Sequence, residues 1–308
     1  MGKEIGGACL IVGPGATGLL FASRLGGALL DCRADRAKRL NRAGVCVESG
    51  GVERRFDPRV YSDPSAVEFE PDWVLFAVKA YSTEEAAAFA APAVSPGAYA
   101  VTLQNGVGNA EILASAYGAE RVLAGSTSEG AWLVREGVAR HAGSGTTTVG
   151  ALSEVSSEAA ERFAGTLRAA GFDAKIAPDW EASVWAKAVV NAAVNPITAL
   201  LGVPNGEVSR IQPLRRLAAR VIKEASRAAE ARGVQLPPDL PKRMLEVCQK
   251  TAQNRSSMLQ DALRGSRTEL EQINGALLRE ASAHGVPAPA LKALTELARA
   301  QTQIGVSV

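Results

Sequence analysis

The sequence predicts an α/β chain in two parts, a doubly wound sheet domain followed by an all-helical one. Three observations carry that expectation. The first half alternates short apolar runs with helical stretches, a Gly-rich turn joins the first run to the first helix, and beyond Pro178 only helical patterns follow. At 308 residues the chain exceeds the usual single domain, so two domains also suit its length. The boundary is expected near 178/179, giving domains 1–178 and 179–308.

In order, Ala8–Val12 is a continuous apolar run, as a strand buried on both faces should be. Ala28–Cys32 reads as a short second strand. Val45–Glu48 and Val52–Phe56 flank Ser49-Gly50-Gly51, a hairpin signal. Val74–Val78 and Ala98–Leu103 read as core strands with an Ala/Glu-rich helix between them. Gly125–Gly150, rich in Gly, Thr and Ser, reads as short strands and turns at the sheet edge. In the second part Glu181–Leu201, Gln212–Arg232, Leu240–Leu263 and Ser266–His284 read as helices, with Gly233, Gly285 and nearby prolines as breaks.

Composition excludes several classes. Hydrophobic residues make up 47% and charged residues 21%, with a net charge of +2 and no dense Lys/Arg block, so nucleic acid is not expected as a partner. No uninterrupted apolar run reaches the ~18 residues of a membrane helix. Met1-Gly2-Lys3-Glu4 has neither signal- nor transit-peptide composition, and Gly6 stands where N-myristoylation would want Ser or Thr. Cys9, Cys32, Cys46 and Cys248 lack paired spacing, as free thiols in a reducing cytoplasmic setting would. His141 and His284 are far apart with no Cys cluster, so no metal site is expected. Neither G-x-S-x-G nor a P-loop occurs.

Gly13-Pro14-Gly15-Ala16-Thr17-Gly18 is G-x-G-x-x-G between the first strand and a helix. In that placement Gly13 permits the turn, Gly15 lets a pyrophosphate approach the backbone, Gly18 lets helix and strand pack closely, and the helix N-terminus faces the anion. After the second strand, Arg33 with Arg36, Lys38 and Arg39 favours the extra phosphate of NADP(H), although the last three also suit a solvated helix face. Asp31 keeps NAD open. The segment from Gly18 to Arg33 is short, so a helix or strand must be trimmed.

Lys187, Asn191 and Asn195 are four apart on a helix whose other positions from Val184 to Val194 are apolar. A solvated face would carry several Lys and Glu; one Lys and two amides instead suggest a polar line toward a cleft, where burial would lower the Lys pKa and make it a proton donor. Asn254–Asp261 offers short hydroxyls and an amide for a carboxylate, or is a helix with incidental serines. Ser266-Arg267-Thr268-Glu269 matches a capping box, so spacing alone leaves Glu269 between cap and site.

Taken in order, Gly13–Gly18, Val78-Lys79-Ala80, Leu103-Gln104-Asn105-Gly106, the Gly125–Gly150 run, Trp185–Leu200, Pro204-Asn205-Gly206-Glu207, Ser256–Asp261 and Arg267–Gly275 resemble the ketopantoate reductase (2-dehydropantoate 2-reductase) family over nearly the full length. The resemblance implies a Rossmann-type domain followed by a helical domain, with the site in the cleft between them, and NADPH-dependent reduction of a small 2-keto acid. It implies Lys187 as proton donor to the ketone oxygen and Glu269 as a site glutamate near cofactor and substrate hydroxyl. Asn191, Asn195, Asn205 and Ser257 correspond to substrate-binding positions. Asn105 would lie near nicotinamide and substrate, while Lys79 and Ala131 would border the cofactor. Two departures stand out: the short segment before Arg33, and Glu129 where family members often carry His.

Two alternatives remain beside ketopantoate reduction. One is a same-family reductase of another 2-keto acid; the other is a non-catalytic dinucleotide sensor, against which Lys187 and Glu269 both count, since a sensor needs no proton donor. Fold alone does not decide. A membrane is not expected as a partner, and a homodimer is left open.

Overall fold

The computed structural model describes residues 7–304 and divides the chain into two compact units, Met1–Gln104 with Asn109–Trp180 and Asn105–Gly108 with Glu181–Val308. The sequence readings at Met1–Glu4 and Gly6 lie outside the described residues.

The first unit holds an eight-stranded sheet. In chain order it contains β1 (Cys9–Val12), α1 (Ala16–Leu25), β2 (Ala28–Leu30), α2 (Ala34–Ala43), β3 (Val45–Ser49), β4 (Val52–Phe56), β5 (Val60–Tyr61), β6 (Trp73–Phe76), α3 (Thr83–Ala90), β7 (Tyr99–Thr102), α4 (Asn109–Tyr117), β8 (Val122–Thr127), β9 (Gly130–Arg135), β10 (Val138–Gly143), β11 (Thr147–Ala151), α5 (Ser157–Ala169) and β12 (Ala174–Ile176). The main sheet runs β12-β11-β8-β7-β6-β1-β2-β5, parallel from β8 through β5, with β11 antiparallel to β8. Alternate residues of β1 feed separate cores: Cys9 and Ile11 join Leu19, Phe21 and Phe163, while Leu10 and Val12 join Val74, Phe76 and Leu113. That is why the strand reads as uninterrupted apolar sequence: each full side-chain burial is worth about 1.5–3 kcal/mol on either face.

The short segment before Arg33 is accommodated by trimming both elements. Helix α1 stops after ten residues at Gly26, whose N–H donates to the Ala22 carbonyl at 3.0 Å, and β2 keeps three residues. The expected hairpin forms, with Gly50 and Gly51 at φ 57° and 80° and Ser49 opposite Val52. The Gly125–Gly150 region departs from its expected place at the sheet edge. Strand β8 is interior, between β7 and β11, whereas β9 and β10 join the hairpin in a second sheet ordered β4-β3-β10-β9. Local composition marked the strands but not their partners, which lie about ninety residues away.

The second unit is helical: α6 (Trp180–Leu201), α7 (Gly206–Arg210), α8 (Gln212–Arg232), α9 (Leu240–Lys250), α10 (Ser257–Leu263), a π-helical turn (Glu271–Gly275), α11 (Ala276–Ala283) and α12 (Pro289–Ile304). Helix α6 is long and apolar enough to cross a membrane, yet most of it is buried inside this unit. Arg232 ties its start to the neighbouring helices, pairing with Glu181 at 3.1 Å and Glu280 at 3.0 Å and lying over the Trp185 ring.

Two helices expected as continuous are broken. Leu240–Leu263 parts between α9 and α10, because the Ala252 and Asn254 carbonyls turn aside to accept from Gly206 and Asn205. Ser256 then caps α10, its hydroxyl accepting from the Leu259 N–H at 3.1 Å. Ser266–His284 becomes helical only from Leu270. Helices α7 and α12 were not among the expected elements; α12 is amphipathic and buries Leu291, Leu294 and Ala298.

Candidate active site

In the first unit, the carboxyl end of β1 leads into the Gly-rich turn. Gly13 takes φ +102°, and a Cβ there would meet Val78 at 2.7 Å; one at Gly18 would lie 2.0 Å from the Gly13 carbonyl oxygen. Gly15 differs. Its φ of −79° suits any residue, and an added Cβ would meet only the Ala77 oxygen, at 3.8 Å. The fold does not require glycine at position 15, so the space above the turn is what a bound group would use. Gly15 is also the N-cap of α1, and no side chain caps this helix. The first-turn N–H groups are therefore available to an anion, and the cradle fits the pyrophosphate of a dinucleotide.

At the end of β2, Asp31 is only 2% exposed and its carboxylate accepts from both Nε and Nη2 of Arg36, while Arg33 is the N-cap residue of α2 with a side chain 63% exposed. The acid that would take a ribose hydroxyl is thus held by Arg36, and the largely exposed Arg33 lies near it as well, its Nε 3.7 Å from Asp31 Oδ1. Lys79 is half-buried after β6, and Ala131 is half-buried in β9 opposite His141.

Gln104, given no role of its own from sequence, fastens this edge. Its Nε2 donates to the Val78 carbonyl at 2.8 Å and to Thr83 Oγ1 at 2.9 Å, and its Oε1 accepts from Thr102 Oγ1 at 2.9 Å. It joins the segments leaving β6 and β7.

In the second unit, Lys187, Asn191 and Asn195 occupy α6, the first two half-buried and Asn195 5% exposed. Burial pulls the Lys187 pKa down to about 8, against the opposing pull of the Glu269 carboxylate. Glu269 is 6% exposed, and its Oε2 accepts from Asn105 Nδ2 at 3.4 Å. Glu269 directly precedes the helix, so the capping box, which would put it in the helix's third position, does not form. Lys187, Glu269 and Asn105 are thus brought together from three separate stretches of sequence.

The π-helical turn organises this cluster. Pro196 lies inside α6 and has no N–H for the Ala192 carbonyl; Asn274 Nδ2 donates to that oxygen instead, at 3.0 Å. The Gln272 carbonyl accepts from the Val107 N–H at 3.2 Å, and a Cβ on Gly106 would come within 2.6 Å of the same oxygen. One turn therefore holds both α6 and the Asn105 turn. Pro196 signalled that Ala192 needs another donor, but not that Asn274, 82 residues away, provides it.

Asn205 donates through Nδ2 to Thr251 Oγ1 at 3.0 Å. The buried side-chain oxygens of Asn205, Gln272 and Asn274 find no hydrogen-bond partner. Ser257 is half-buried at the start of α10, whereas Ser256 is committed to the cap and to the Thr198 hydroxyl at 2.7 Å.

A parallel sheet with a glycine cradle and a helical unit carrying a lysine–glutamate–asparagine cluster define a dinucleotide-dependent oxidoreductase. Within that class the chain belongs to the ketopantoate reductase family: residues 9–154 match the ketopantoate reductase PanE/ApbA model and residues 179–302 match its C-terminal model. It is 36% identical to a 2-dehydropantoate 2-reductase of Halobacterium salinarum, covering 94% of this chain and 97% of that one. A relative of the same name in Archaeoglobus fulgidus is 43% identical over 75% of this chain and 76% of its own. Among solved structures, 2-dehydropantoate 2-reductase from Geobacter metallireducens superposes with a TM-score of 0.88 at 26% identity, covering 96% and 100% of the two chains. D-mandelate dehydrogenase with NADH and anilino(oxo)acetate superposes at 0.91 with 24% identity over 96% and 99%, a likeness of fold.

Proposed function

We propose that this chain reduces 2-dehydropantoate to pantoate with NADPH, residues 1–178 holding the dinucleotide and 179–308 supplying the substrate and catalytic groups. The observation that carries the reading is Lys187 beside Glu269, on a stretch of α6 that from Val184 to Val194 is otherwise apolar but for Asn191, where burial lowers the lysine pKa to about 8. Such an ammonium is a strong enough acid to protonate an alkoxide and is still mostly charged at neutral pH.

When bound, a reduced nicotinamide would supply hydride to the keto carbon. Lys187 gives its proton to the carbonyl oxygen as negative charge develops there. Glu269 sustains the ammonium's charge and, through Asn105, links the lysine to the turn after β7. Asn191, Asn195, Asn205 and Ser257 orient the substrate by its carboxylate and hydroxyl, so that binding energy fixes the keto carbon for attack. The unpaired oxygen of Asn205 suits a substrate hydroxyl. Gly13–Gly18 would hold the pyrophosphate, with Lys79 and Ala131 bordering the cofactor. Arg33 favours NADP over NAD, and the pairing of Asp31 with Arg36 supports that preference. The four free thiols suit a cytoplasmic setting.

A second reading is reduction of another 2-keto acid by the same groups, which the family's site chemistry also permits. A steady-state assay of the purified chain with ketopantoate and a panel of 2-keto acids, each with NADPH and NADH, decides. The highest kcat/KM is expected for ketopantoate with NADPH; a higher value for another acid overturns the substrate assignment.

A further inference from the structure

The connection from β8 to β9 holds a buried pair of ionisable side chains that the reaction as derived does not use. Glu129 Oε2 lies 2.6 Å from His141 Nε2, with the histidine side chain 5% exposed and the glutamate 1%. Glu129 Oε1 accepts from the Gly145 N–H at 3.2 Å, and the Glu129 N–H donates to Thr127 Oγ1 at 3.2 Å. On the other side of the imidazole, His141 Nδ1 meets Arg24 Nη2 at 3.4 Å and Ser49 Oγ at 3.2 Å.

These contacts assign the protons. Arginine can only donate, so Nδ1 is the acceptor, and Nε2 carries the proton that it gives to Glu129. The nearest cation to this pair is Arg24, across the imidazole ring from Glu129 and stacked over Phe172.

Position gives the charge a use. Strands β1, β6, β7 and β8 are parallel, so the segments leaving them share one sheet edge: the Gly-rich turn after β1, Lys79 after β6, Gln104 after β7 and Glu129 after β8. A dinucleotide spans such an edge where the strand order reverses, one nucleotide on each side. With the adenosine half at β2 and Arg33, the nicotinamide half would extend over β6, β7 and β8, the side on which Glu129 follows β8.

We propose that Glu129 is an electrostatic positioning residue, a buried negative charge that favours the oxidised, cationic nicotinamide ring over the reduced, neutral one. This rests on the dinucleotide reading above. Hydride transfer moves two electrons and one hydrogen from the ring to the keto carbon, leaves the ring with one positive charge, and is completed when Lys187 protonates the alkoxide. A fixed negative charge near the ring lowers the energy of that product and of the transition state leading to it.

The test is the ratio of the dissociation constants for NADP+ and NADPH, measured by equilibrium binding without substrate. Glu129→Gln keeps the shape and removes the charge, and should raise the NADP+/NADPH ratio about tenfold, the order expected for a nearby unit charge at an effective dielectric of about 20. Arg24→Gln removes the nearest cation and should move the ratio the other way. A structural role would weaken both cofactors equally; an unchanged ratio in folded Glu129→Gln overturns the proposal. Should that variant fail to fold, Arg24→Gln decides, a fall in the ratio supporting the inference and no fall overturning it. A wild-type chain that binds neither NADP(H) nor NAD(H) would instead remove the dinucleotide reading itself.

Discussion

At the scale of single residues, the site depends on which charges are already committed. Asp31 is held by Arg36 while Arg33 is exposed, so Arg33→Ala should weaken NADPH roughly 10- to 100-fold, the range for a lost charge-assisted bond, and leave NADH nearly unchanged. Equal losses for both cofactors, read by titration, would show that Arg33 does not meet the 2′-phosphate. Glu269 raises the pKa of Lys187 against burial. Glu269→Gln should therefore lower kcat/KM at least about tenfold, equivalent to ~1.4 kcal/mol of transition-state stabilisation, and move the Lys187 titration below its present value of about 8. The melting temperature should barely change, because Glu269 is not the third residue of a capped helix. A fully active variant with an unmoved titration would return Glu269 to a structural role.

At the scale of elements, the parts of the fold set by local pattern were legible and the parts set by distant partners were not. The apolar runs of β1 and β6 and the Gly50-Gly51 hairpin needed only their own residues. The second sheet did not, because β3 pairs with β10 across about ninety residues, and nothing in either strand names the other. The break between α9 and α10 was hidden for the same reason, since its cause is the Asn205–Gly206 turn that takes the carbonyls of Ala252 and Asn254. Of the site, the Lys187-Asn191-Asn195 stripe was visible as spacing. The roles of Glu269 and Asn105 came only with the family resemblance, and the support from Asn274 came only from the structure. That support is testable. Asn274→Leu leaves the Ala192 carbonyl buried without a donor and should cost about 1–3 kcal/mol in denaturant unfolding. In a Pro196→Ala background, where residue 196 regains its N–H, the cost should shrink; equal costs in both backgrounds would refute the exchange of donors.

At the scale of the whole molecule, the ionisable groups set the stability profile in alkali. Burial raises the thiols of Cys9 to about 12 and Cys248 to about 11, and the Tyr117 hydroxyl to about 12. Each is protonated in the fold when its unfolded counterpart has ionised, so its contribution is complete below the unfolded pKa and is lost as pH rises through the folded one. Lys187 has the opposite sign: its folded pKa of about 8 lies below the ordinary lysine value of 10.5, so its penalty is relieved between pH 8 and that value. The three raised groups outweigh one lysine, and thermal stability should fall steeply above about pH 10. Cys9→Ala should fall less steeply over the same range; an identical slope would show that the thiol's burial does not control it.

The central claim is that Lys187 delivers the proton that accompanies hydride transfer, and the pH dependence of kcat for NADPH-driven ketopantoate reduction tests it most directly. The account predicts a plateau below a single inflection near the Lys187 pKa of about 8 and a decline above it, as the ammonium deprotonates. In Lys187→Ala the inflection should be absent and kcat reduced by about 100-fold or more, with NADPH affinity retained. A near-normal turnover in that variant, or an inflection that survives it unchanged, would contradict the account.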